Sequence, residues 1–150
     1  MRTNSRFFLA FVLVGLFMGP TRTLLVAAGT VTVTTAVISG SSVTRYTIAW
    51  TSTAGGAVSA NTFSVKAGHL IEIKFVPGSA GNQPTDLYDV TLIDTDSIDL
   101  LSGRGANLSN ATSSRMVWDP PLYHDATQAF DLVVANAGNA KSGTVILYVE

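Results

Sequence analysis

Five aspartates crowd one stretch of the chain: Asp86, Asp89, Asp94, Asp96 and Asp99. Carboxylates so spaced are the raw material of a calcium site, because calcium gathers several oxygen ligands. Asp94-Thr-Asp-Ser97 resembles the opening of a calcium loop. The rest of a helix–loop–helix site is missing. Counted from Asp96, its sixth position is Leu101 where glycine makes the sharp turn, and its twelfth is Asn107 where a bidentate glutamate belongs. Asp and Ser also fill tight turns by bonding their own backbone, and a polar turn is the reading taken here. Asp94, Asp96 and Asp99 are kept as weak calcium candidates.

The two histidines, His69 and His124, show no His-x-His or His-x-x-x-His spacing, so a metal site would need both to meet an acid in space. Asp125 beside His124 invites a hydrolase, but no Gly-x-Ser-x-Gly elbow presents a serine. Gly103-Arg-Gly-Ala-Asn107 lacks the Gly-Lys-Ser/Thr ending and the following amphipathic helix of a phosphate loop. Asn107-Leu-Ser and Asn110-Ala-Thr match glycosylation sequons, as Asn-rich loops often do by chance. The chain has no cysteine, which excludes disulfides, thiolate catalysis and Cys-based zinc sites. We expect no catalytic residue and no cofactor. Among the aromatics, Trp50 and Tyr88 sit on apolar strand faces and read as core. Trp118 and Tyr123 flank Pro120-Pro121 and are expected to be partly exposed, where they would serve a sugar or a partner. With Arg104 and Asn107 they are the candidate contact residues.

The elements that must carry these residues are strands. Charged residues are 13% of the chain, roughly half the usual share. Thr, Ser, Gly and Ala fill the gap, a mix that favours strands and turns over helices. Alternation marks strands over 31–37, 44–51, 62–65, 71–75, 88–92, 98–101, 115–118, 130–134 and 145–149. Loops rich in Gly, Ser, Asn and Pro lie between them, notably 77–84 and 103–114. Asp119-Pro-Pro121 is expected to break the strand before it, and a cis bond is compatible with either X-Pro. The last strand is apolar on both faces and belongs at a sheet centre or against a partner chain. About eight strands with recurring turns and no helix predict an antiparallel β-sandwich over residues 29–150, jelly-roll-like or immunoglobulin-like.

Residues 1–28 differ in kind. Arg2 and Arg6 precede the uncharged run Phe7–Gly19, and Pro20 ends it. This resembles a secretory signal, with Val26-Ala-Ala28 before a cleavage at Gly29. A retained anchor is the second reading, disfavoured because the run is too short to span. The third is a gene-call extension, with translation starting near Val31 or Val33. Without Arg2, Arg6 and Arg22, six basic residues face ten acidic ones, a net charge of −4. That balance offers no basic footprint for nucleic acid.

Five stretches carry a resemblance: Tyr46-Thr-Ile-Ala-Trp-Thr-Ser52, Gly68-His-Leu-Ile-Glu-Ile-Lys-Phe-Val-Pro-Gly78, Gln83-Pro-Thr-Asp-Leu-Tyr-Asp-Val-Thr-Leu92, Leu100-Leu-Ser-Gly-Arg-Gly-Ala-Asn-Leu-Ser-Asn110 and Asp131-Leu-Val-Val-Ala-Asn-Ala-Gly-Asn-Ala-Lys-Ser-Gly-Thr-Val145. In these the chain resembles small proteins encoded among the head and tail genes of tailed bacteriophages and prophages. The resemblance implies a virion component that packs against other virion proteins or copies of itself, and it brings no active site. Such proteins usually begin near the first strand, so residues 1–28 depart from the pattern. The alternative expectation is an exported or cell-surface module that binds carbohydrate or mediates adhesion, if residues 1–28 direct secretion.

Overall fold

Alternating apolar and polar side chains become eight strands in the computed structural model, which describes residues 29–125 and 128–150. The signal-like segment and the readings of its cleavage, retention or late start fall on residues 1–28, outside the described residues. The strands are β1 (Thr30–Val37), β2 (Thr44–Thr51), β3 (Val58–Ser64), β4 (Gly68–Pro77), β5 (Asp89–Ile93), β6 (Ser114–His124), β7 (Ala129–Ala135) and β8 (Ser142–Val149). The described residues form no helix.

A five-stranded sheet in the order β1-β2-β8-β4-β6 faces a three-stranded sheet in the order β3-β7-β5, and every pairing is antiparallel. From β2 onward the chain pairs like one long hairpin rolled up: β2 with β8, β3 with β7, β4 with β6. The innermost strand, β5, takes the segment 99–108 as its partner. Single bridges join Tyr88 to Leu108 and Ile93 to Asp99, and Val90 N–H donates to Gly105 O at 2.8 Å. This wiring, with successive strands alternating between sheets, is a jelly roll with one extra strand, β1, added beside β2.

The core lies between the sheets. Ile48, Leu70, Ile73, Val145 and Leu147 point into it from the larger sheet, and Val58, Val90, Leu92, Leu132 and Val134 from the smaller. Burying whole aliphatic side chains at about 1.5–3 kcal/mol each is the main force closing the sandwich. Trp50 is packed on Gly143, its partner across β2 and β8, and tilts against Tyr88 with ring centroids 5.8 Å apart. Strand β8 sits between β2 and β4, which explains its two apolar faces: Val145, Leu147 and Val149 are buried while Ile146 and Tyr148 are half-buried on the outer face.

Three local expectations are corrected. Residues 98–101 do not form a strand. Asp94 and Asp99 draw backbone N–H groups into turns there, and Ser97 and Ser102 take positive φ of 65° and 50°, which a strand does not accommodate. Strand β6 is not broken by its prolines. It is an edge strand, so residues lacking an N–H face open space, and Trp118–Pro121 bulge out opposite Ile71 alone, with a cis Asp119–Pro120 bond. Strand β3 begins at Val58 rather than residue 62, through a register shift between Val58 and Asn61.

Candidate interaction surface

The acidic residues hold the tip of the rolled hairpin. Asp94 Oδ1 accepts the N–H of Asp96 and of Ile98, both at 2.9 Å. Asp99 accepts from Leu101 N–H at 3.0 Å and from Gly103 N–H at 2.9 Å. Asp89 accepts from Asn107 N–H at 2.8 Å and from the Asn136 amide at 2.7 Å, and Asp86 from Asn110 N–H at 3.2 Å. Asp94 and Asp99 thus shape the turns of segment 94–103, while Asp86 and Asp89 tie its far end, at Asn107 and Asn110, to β5 and the residues just before it. Asp96 is exposed at the turn. Among the described residues no three His, Asp or Glu side chains are placed to share a metal, so the structure does not gather Asp94, Asp96 and Asp99 into a cation site.

The candidate contact residues scatter. Trp118 is buried, not exposed: it shares the inward face of β6 with Met116, and its Nε1 donates to Leu100 O at 3.3 Å. The proline pair obscured this, because the alternation that places Trp118 inward runs straight into the bulge. Tyr123 is 64% exposed and leans edge-on against His69, its partner across β4 and β6, with centroids 5.6 Å apart. Arg104 and Asn107 are exposed on the segment that covers β5, Asn107 at a φ of 54°. An aromatic platform of Trp118 and Tyr123 is therefore not formed. His124 is buried against Phe130 at 5.1 Å, and neither ring nitrogen has a hydrogen-bond partner. It is not joined to a serine as a hydrolase requires.

The outer face of the larger sheet carries a small charged group. Glu72 pairs with Lys74 at 3.3 Å and approaches Arg115 at 4.0 Å. The Glu72 carboxylate holds the Lys74 ammonium above its ordinary pKa, and the Tyr148 ring, 5.1 Å from Nζ, adds to this. Lys74, Val76, Ser113, Ser114 and Arg115 line an open depression of about 320 Å³. Its two charged side chains, Lys74 and Arg115, both lean on the single carboxylate of Glu72.

The sheet edges differ more sharply. Each unpaired edge offers a row of N–H and C=O groups, and proteins normally blunt it. Strand β6 is blunted by Pro120, Pro121, a bulge and the charges of Arg115 and Asp119. Strand β5 is covered by the 99–108 segment. Strand β3 has its register shift, and Asn61 Nδ2 donates to Gly29 O at 3.3 Å. Among the described residues, strand β1 has none of these devices. Its sequence, TVTVTTAV, contains no charge, proline or glycine, and it pairs with β2 without a register shift. Val37 at its end is 71% exposed and Ile38 beyond it 40%. The sequence reading missed this surface; its signal was an uncharged β-branched strand, legible as a hazard only once its edge position is known.

Compared with known protein families, with curated proteins and with solved structures, the chain gives no match.

Proposed function

We propose that this chain is a non-enzymatic structural or accessory component of a phage particle, working by protein–protein packing. The observation that carries the reading is the edge of β1: among the described residues the other three sheet edges are blunted or covered, while this one is open, uncharged and ends at exposed Val37 and Ile38. An open edge of that kind is a pairing surface or a liability. The resemblance of residues 46–145 to proteins encoded with phage head and tail genes supports the same reading. The loops add rigid outer contacts. Segment 77–86 is tied down through Gly78 to Ser142, Asn82 to Ser142 and Thr85 to Ala137, and segment 103–114 through Asp86 and Asp89. The virion is the corresponding location. The carbohydrate-binding or adhesion alternative retains Tyr123 but loses Trp118 to the core, so it stands second.

Mass spectrometry of particles purified through a density gradient tests this. The expected result is the chain at a fixed copy number relative to the major shell protein. A chain confined to the soluble fraction, with none in banded particles, overturns the proposal.

A further inference from the structure

We propose that the free edge of β1 pairs with β1 of a second copy of this chain, antiparallel about a two-fold axis through Thr34. The inference deepens the packing reading and rests on it, since it names the partner of the edge that carries that reading.

Register follows from the pleat. Side chains alternate between faces, so residues directly opposite each other must belong to the same face. Val31, Val33, Thr35 and Val37 lie opposite Trp50, Ile48, Tyr46 and Thr44 of β2, all buried, and therefore face inward. Thr30, Thr32, Thr34 and Ala36 face outward. Two self-pairings keep inward residues opposite inward residues over nearly the whole strand. One is centred on Val33 and sets Val37 against Gly29. That glycine is packed and has no side chain to offer; a Cβ there would stand 2.6 Å from Thr51 O. The other is centred on Thr34. It sets Val37 of one copy against Val31 of the other, Val33 against Thr35, Thr32 against Ala36, and Thr34 against itself. Of the two, only this register gives the exposed Val37 an apolar neighbour.

The occupant is argued from charge and symmetry. The strand carries no charged residue, so self-pairing brings no like charges face to face. A closed two-fold contact needs one self-complementary patch, which the Thr34 register supplies. Joining two five-stranded sheets would give a continuous ten-stranded sheet and leave no open β1 edge. A contact of one strand per copy is small, which places it in the weak, concentration-dependent class that a crowded shell can use.

The test exploits the absence of cysteine from the sequence. In the full-length chain, Thr34→Cys places the only thiol on the proposed axis, and Thr112→Cys places one on an exposed loop as control. Under mild oxidation Thr34→Cys should form disulfide dimers and Thr112→Cys should not. Sedimentation of Thr34→Lys alone and of Thr34→Glu alone should show self-association about fivefold weaker than that of the unsubstituted chain. A mixture of the two variants should recover it, because Lys then opposes Glu. Thr34 is solvent-facing, and far-UV circular dichroism checks that both variants fold. Association unchanged by either charge, with no Thr34→Cys dimer, overturns β1 pairing while leaving packing through another surface in place. An unsubstituted chain that stays monomeric up to millimolar concentration also overturns it. The packing reading itself is then decided separately, by the content of purified particles.

Discussion

Asp99 spreads its carboxylate over two backbone donors, Leu101 N–H and Gly103 N–H, and so fixes the first bend of the segment that covers β5. Hydrogen bonds to an ionised acceptor are among the stronger ones in water-exposed structure. Asp99→Ala should therefore lose about 1–2 kcal/mol of stability, measured by urea unfolding. Millimolar calcium should leave the melting temperature of the parent chain unmoved, because Asp94 Oδ1 and both Asp99 oxygens already accept backbone N–H groups. Tyr88 gives a prediction in pH. Burial pushes its phenol up to about 12 from an ordinary value of 10.0. An unfolded chain ionises this tyrosine first, so the unfolded state binds fewer protons between those values. Its contribution is fully present below pH 10.0 and declines as pH rises towards about 12, by about 1.4 kcal/mol per pH unit at most. Tyr88→Phe should flatten that part of an alkaline unfolding profile.

At the scale of elements, β2 and β8 meet where the largest side chain of one lies on the absent side chain of the other. A Cβ on Gly143 would stand 2.8 Å from Trp50 Cε2, and Trp50 is 2% exposed with Tyr88 behind it. Gly143→Ala should therefore cost about 1–3 kcal/mol through overpacking, visible as a lower urea midpoint together with a change in tryptophan fluorescence. The sequence showed Trp50 and Tyr88 as core residues from their alternation, but not that Gly143 makes the room. Edge strands tell the same story from the other side. Alternation identified 31–37 and 115–118 as strands, yet the prolines of β6 read as a break because strand position was unknown. Proline is excluded from a central strand and welcome on an edge, and only the sheet order tells the two apart.

At the scale of the molecule, the rolled hairpin pairs residues far apart in sequence. Thr44 lies opposite Val149, and Phe63 opposite Phe130. Loop-closure entropy must be met before such contacts form, so proteins with this topology fold slowly for their size. Stopped-flow refolding of the full chain should run in milliseconds to seconds rather than microseconds, with tryptophan fluorescence reporting burial of Trp50 and Trp118. The same wiring leaves β1 outside the roll. It adds to β2 alone, and the smaller sheet covers its beginning, where Gly29 and Asn61 meet, but not its end at Val37.

The sequence by itself determined the fold class, because alternation over short segments is a local property that survives without knowing any partner. It likewise determined the turn at Asp94–Ser97, since an Asp side chain reaches its own nearby backbone. Tertiary structure alone decided which strands are edges, which face Trp118 takes, and that Val37 lies exposed among the described residues. Those are facts about neighbours supplied by distant parts of the chain. The one surface on which the proposed function rests is of that kind: TVTVTTAV is an ordinary strand until the sheet order leaves one of its sides unpaired among the described residues.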